Sequence, residues 1–132
     1  MTTDSLLGTW KLKEWSRIAA DGTVTHPFTA EATGRLIYAA NGLMSAFLMT
    51  PDWSVAAERA GARGVTAYSA RWELLGDIVH HAVDFASDPR MLGETLRRRV
   101  VPTADGFILE TLSAVGRADR ESIHRLEWVR ED

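Results

Sequence analysis

Short strand-like runs separated by turn residues dominate the chain, and most of them alternate apolar and polar residues with the period of two of half-buried β-strands. The first such run, at positions 10–17, puts Trp10, Leu12 and Glu14 on one face and Lys11, Lys13 and Trp15 on the other. Further runs occupy 34–38, 43–49, 68–75, 78–85, 94–101, 106–112 and 122–130. Turn-forming pairs separate several of them: Asp21-Gly22, Asn41-Gly42, Gly76-Asp77 and Asp105-Gly106. Asn-Gly between two apolar runs is the strongest hairpin signal in the chain. About eight short strands at regular spacing predict an antiparallel sandwich or barrel. Positions 51–61 break the pattern with good helix formers, an Asp near the start and a Gly at the end. They predict one short helix, placed to cover an open end of a barrel.

Alternation also assigns the inward faces. Tyr68, Ala70, Trp72 and Leu74 form one inward set, Val79, His81, Val83 and Phe85 a second, and Leu96, Arg98 and Val100 a third, which Phe107, Leu109 and Thr111 continue. Two ionisable groups, His81 and Arg98, thus fall among apolar neighbours, and each needs a partner, because an unpaired buried polar group is costly. His81 has two readings. It is either a general acid, base or ligand donor, or a core histidine bonded to a buried hydroxyl such as Tyr38 or Tyr68. Arg98 either clamps an anionic ligand group or pairs with Glu14 or Glu110. Trp53 falls on the helix, where it either roofs the cavity or anchors the helix. His26 and His124 are expected at the surface. The 36–49 hairpin is apolar on both faces, so its outer face is expected to lie under the helix or a second subunit, and a homodimer is expected.

The chain has 132 residues, 45% of them hydrophobic and 25% charged, which suits one folded domain over 1–132. It contains no cysteine, which excludes disulfides and thiolate chemistry. Its net charge of −3 argues against nucleic acid as a partner. The Arg97-Arg98-Arg99 run does not change that, since alternation splits it between faces. His80 and His81 likewise point to opposite faces, so no metal site is expected there. Nucleotide-binding glycine loops and serine-hydrolase elbows do not occur, and no cofactor is expected. Neither a secretory signal nor a run long enough to span a bilayer is visible, so a cytoplasmic protein without membrane contact is expected.

Several motifs carry a family resemblance. Gly8-Thr9-Trp10, with Arg130 closing the last strand, resembles the Gly-x-Trp and stacked Arg of lipocalin barrels. Gly34-Arg35-Leu36-Ile37-Tyr38, then Gly42-Leu43-Met44-Ser45, then Tyr68-Ser69-Ala70-Arg71-Trp72 and His80-His81 are similar to successive strands of the bacterial and fungal lipocalin-like domain family, as are Pro89, Gly93 and Arg98. Ala70 departs from that pattern, where the family usually has Gly. The resemblance implies an all-β fold: an antiparallel up-and-down β-barrel of the small calycin type, enclosing a cavity for a small apolar or aromatic molecule. It also implies that Trp10 and Trp128 are core residues, with Arg130 stacked as a plug.

Two functions follow as expectations. In the first, the barrel binds such a molecule, with His81 and Arg98 as polar contacts and Tyr38, Ser45, Trp53, Trp72, Phe85 and Phe107 around it. In the second, it is a cofactor-independent isomerase, cyclase or dehydratase. His81 would then move a proton, Arg98 would stabilise an oxyanion, and Tyr68 or Tyr38 would orient the substrate.

Overall fold

A computed structural model of the chain describes residues 1–61, 63–112 and 122–131. Its strands are β1 (Gly8–Ile18), β2 (Val24–Thr25), β3 (Thr33–Tyr38), β4 (Leu43–Met49), β5 (Val65–Leu75), β6 (Ile78–Ala86), β7 (Thr95–Pro102), β8 (Gly106–Thr111) and β9 (Ile123–Arg130). From β3 onward each strand pairs antiparallel with the next, β1 pairs with β3, and β9 returns to β1. Eight strands therefore close into an up-and-down barrel, and closure removes the unpaired edges of an open sheet. The two-residue β2 is an addition that the alternation does not reveal; it pairs with β1 beside the barrel.

The Asn-Gly hairpin forms where the sequence places it. Gly42 takes φ +87, Asn41 Oδ1 accepts from the Leu43 amide at 3.1 Å, and Leu36 faces Ala46 across the ladder. A positive φ is easy for glycine alone, so this residue fixes the register of the apolar hairpin.

The barrel end that carries this hairpin is closed by the N-terminus. Thr3–Leu6 forms a helical turn, α1, held by a reciprocal capping box between Thr2 and Ser5. That turn drives Leu6 completely out of solvent. The Trp10 indole donates to the Leu6 carbonyl at 2.9 Å, and the Arg130 guanidinium donates to the Leu7 carbonyl at 2.7 Å while stacking 3.9 Å over the Trp10 ring. Gly8 sits at φ +123, where a side chain would strike that guanidinium. The Gly-x-Trp and Arg expectation is thus met as a structural plug. Trp128 and Phe107 lie in the same core, Phe107 with its ring edge-on to Trp10 at 4.6 Å.

Two β-bulges reverse the faces that strict alternation predicts. Between Leu12 and Glu14, β1 holds one residue more than β9, so Trp15 turns back toward the core side. Between Val83 and Phe85, β6 holds one residue more than β5. Phe85 then pairs with Ser69, on the outside, and is 73% exposed, while Ala86 takes the inward place opposite Tyr68. An extra residue shifts every later side chain by one face.

The expected helix is shorter than its sequence signal: α2 is Val55–Arg59, capped by Ser54, whose Oγ accepts from the Ala57 amide. No residue of α2 is buried. Trp53 lies before the helix rather than on it, its ring pressed against Gly64. A 3-10 turn at Pro89–Met91, with Asp88 as its cap, precedes β7. Among the described residues no helix is long and apolar enough to cross a membrane.

Candidate functional site

His81 stands on β6 opposite Trp72 of β5 and Leu96 of β7, with its side chain inside the barrel and wholly shielded from solvent. Both ring nitrogens are engaged. Tyr38 Oη, from the end of β3, lies 2.7 Å from Nε2, and Tyr68 Oη, from β5, lies 2.8 Å from Nδ1. The two hydroxyls named as alternatives from the sequence are therefore both partners of the same imidazole. Tyr38 is itself buried and packs on Trp72 at 4.5 Å, whose indole donates to the Ala39 carbonyl at 3.1 Å. Trp72 and Phe107, expected as cavity walls, are buried core residues around Tyr38.

Arg98 enters from β7, two residues beyond the partner of His81 and opposite Thr111 of β8. Its guanidinium donates to the Arg97 carbonyl at 2.9 Å. Glu14 and Glu110, the carboxylates considered for it, lie against His26 and Arg125. The positive charge of Arg98 acts on the whole cluster. Burial, then Arg98 and His80, push the His81 imidazole down to about 3, which keeps it neutral. Burial raises Tyr68 to about 12 against the opposing pull of Arg98, and raises Tyr38 well above an ordinary phenol. Three neutral groups thus share hydrogens beside a fixed cation.

Tyr68, Leu96, Arg98 and Leu126 are each partly accessible, while Trp10, Tyr38, Val79 and Phe107, and also Ser16, Leu48 and Val83 toward the end opposite the plug, are buried. His124, expected at the surface, is partly buried at that end, where its Nδ1 accepts from the Trp15 indole at 3.0 Å. No alternation rule identifies that contact, because the β1 bulge creates it.

Two expected ligand contacts are not in this cluster. Ser45 is exposed on the outer face of β4 and donates to Ser69 Oγ at 3.2 Å, and Phe85 is outside because of the β6 bulge. Both line an outer groove of about 830 Å³ together with Ile37, Phe47, Ser69 and Tyr68, so Tyr68 borders this groove as well as the His81 cluster. The apolar outer face of the hairpin is not covered by α2 in the single chain: Ile37, Leu43 and Phe47 remain 40–46% exposed. Several polar groups of the groove are already engaged. Ser69 Oγ donates to the Met44 carbonyl, and Arg35 grips Glu131 through two hydrogen bonds of 2.9 and 2.8 Å.

No curated protein matches the chain. The family model described as a lipocalin-like domain matches residues 7–130, which takes in Gly8, Trp10 and Arg130 of the plug, every strand that closes the barrel and the whole His81 cluster. With the closed eight-stranded sheet, that match places the protein: the chain belongs to the lipocalin-like domain family.

Proposed function

We propose that this barrel binds a small apolar or aromatic molecule that enters from the end opposite the Trp10 plug and rests its polar group against Tyr68 and Arg98. The fold suits small-molecule binding in general. The observation that carries the more specific reading is the buried imidazole bonded at both nitrogens to phenols beside an arginine. Desolvating such a cluster works against stability, and an apolar core of the same volume would be at least as stable. The outer groove is the weaker candidate, because its serines and its Arg35–Glu131 pair already satisfy each other.

The cluster supports binding over proton transfer. An imidazole at about 3 is neutral at physiological pH and too weak a base to suit general acid–base work there. The test is a fluorescence titration of 8-anilinonaphthalene-1-sulfonate against the intact chain and its Arg98→Met variant. Saturable one-to-one binding that weakens about tenfold or more in the variant supports the reading. Absent saturation, or equal affinity in the two proteins, overturns it.

A further inference from the structure

The hydrogens of the His81 cluster can be counted. Two phenols and one neutral imidazole carry three, one on each oxygen and one on the ring. Only two links join them, Tyr38 Oη to Nε2 and Nδ1 to Tyr68 Oη. Each link uses one hydrogen, so a third hydrogen must find its acceptor outside the cluster. Which oxygen carries it depends on the tautomer. With the proton on Nε2, the ring donates to Tyr38, and the Tyr38 hydrogen is left over. With the proton on Nδ1, Tyr38 donates to Nε2, the ring donates to Tyr68, and the Tyr68 hydrogen is left over.

The surroundings decide between them. Tyr38 is buried at 1% exposure, and His81 is the one hydrogen-bond partner of its hydroxyl among the described residues. Its neighbours are the rings of Trp72 and Phe107, which offer no lone pair of comparable strength. Stranding a hydroxyl hydrogen there is the costly arrangement. Tyr68 is only partly buried, stands nearer the end opposite the plug and borders the 830 Å³ groove, with the Arg98 charge acting on it. We infer that His81 is fixed as the Nδ1–H tautomer, so that Tyr68 presents its hydroxyl hydrogen to the bound molecule and selects ligands whose polar end is a hydrogen-bond acceptor, such as a ketone or carboxylate oxygen. Tyr38 and His81 are then positioning residues: they hold the Tyr68 oxygen as an acceptor from the ring and so turn its hydrogen outward. This rests on the binding reading above and names the chemistry of the ligand it would take.

Two measurements test it. Long-range proton–nitrogen correlation spectra of the folded wild-type protein report the tautomer directly and need no ligand. A protonated Nδ1 and a bare Nε2 on His81 are expected, and the reverse overturns the inference. The second uses a matched pair of probes, 2-acetonaphthone and 2-ethylnaphthalene, which differ in the carbonyl oxygen. Tyr68→Phe is expected to weaken acetonaphthone about tenfold and ethylnaphthalene by less than about twofold. Equal changes for both probes overturn the selection by Tyr68 while leaving binding intact. If neither probe binds the wild-type chain, the binding reading itself fails, and this inference with it.

Discussion

Tyr68 and His81 are bonded at 2.8 Å although they do not face each other across the sheet: Tyr68 pairs with Ala86 and His81 with Trp72. The tyrosine reaches along the inside of the barrel, past Ala70 and Val83, to meet the ring. The β6 bulge lies within this span, between Val83 and Phe85, so the local twist of the sheet and the geometry of the cluster are linked.

The shielding of His81 makes stability depend on pH in a definite direction. In the unfolded chain an ordinary histidine protonates near 6.5, while the folded imidazole holds out to about 3. The unfolded state therefore binds more protons between these values. The contribution of His81 is complete above 6.5 and is lost as the pH falls toward 3, with a slope of up to about 1.4 kcal/mol per pH unit. Denaturant unfolding between pH 6.5 and 4.5 should show this slope in the wild type and a shallower one in His81→Gln. Identical slopes would mean that the ring titrates alike in both states.

The two phenols differ in what their removal strands. Tyr38→Phe leaves Nε2 without a donor in a dry core and should cost about 1–3 kcal/mol in unfolding free energy. Tyr68→Phe takes the acceptor from Nδ1–H beside a side chain that is itself partly exposed, so its cost should be smaller than that of Tyr38→Phe. A larger loss for Tyr68→Phe than for Tyr38→Phe would contradict the greater burial of Tyr38.

The β6 bulge gives a paired test. Val83→Ser puts a hydroxyl where a buried side chain packs and should cost about 2 kcal/mol. Phe85→Ser, on the exposed side, should stay within about 0.5 kcal/mol of the wild type. Strict alternation from Val79 would make both changes severe, so thermal or chemical denaturation of the pair distinguishes the two registers.

At the closed end, Arg130→Met removes both the stacking on Trp10 and the bond to the Leu7 carbonyl. A loss of about 1–2 kcal/mol is expected, with earlier protease cleavage at the N-terminal turn as α1 loses its anchor. An N-terminus released no sooner than in the wild type would show that α1 is held by Leu6 alone.

Much of this was legible in the chain because the barrel is made of local signals. Asn41-Gly42 set a hairpin and alternation set the inward faces of β5, β7 and β8, while the closure at Gly8, Trp10 and Arg130 was implied by the resemblance to lipocalin barrels rather than by any local pattern. Placing His81 inside, with Tyr38 and Tyr68 as candidate partners, needed only the period of two. Where that period fails, the reading fails with it. One extra residue in β1 turned Trp15 inward and brought His124 to it, and one in β6 turned Phe85 outward. A bulge is a property of two paired strands and leaves no mark in either one alone. Ser45 was misplaced for a different reason: its hairpin is apolar on both faces, so hydropathy could not say which face was inside. The α1 turn is too short for periodicity to reveal, although Thr2 and Ser5 carry its capping pattern.

The most direct measurement of where a ligand sits is chemical-shift mapping of the isotope-labelled chain during titration with 8-anilinonaphthalene-1-sulfonate. Shifts concentrated at Tyr68, His81, Leu96 and Arg98 are expected, with Ile37, Phe47 and Phe85 unmoved. Shifts confined to Ile37, Ser45, Phe47 and Phe85 would put the molecule in the outer groove and contradict an interior site built on Tyr68 and Arg98.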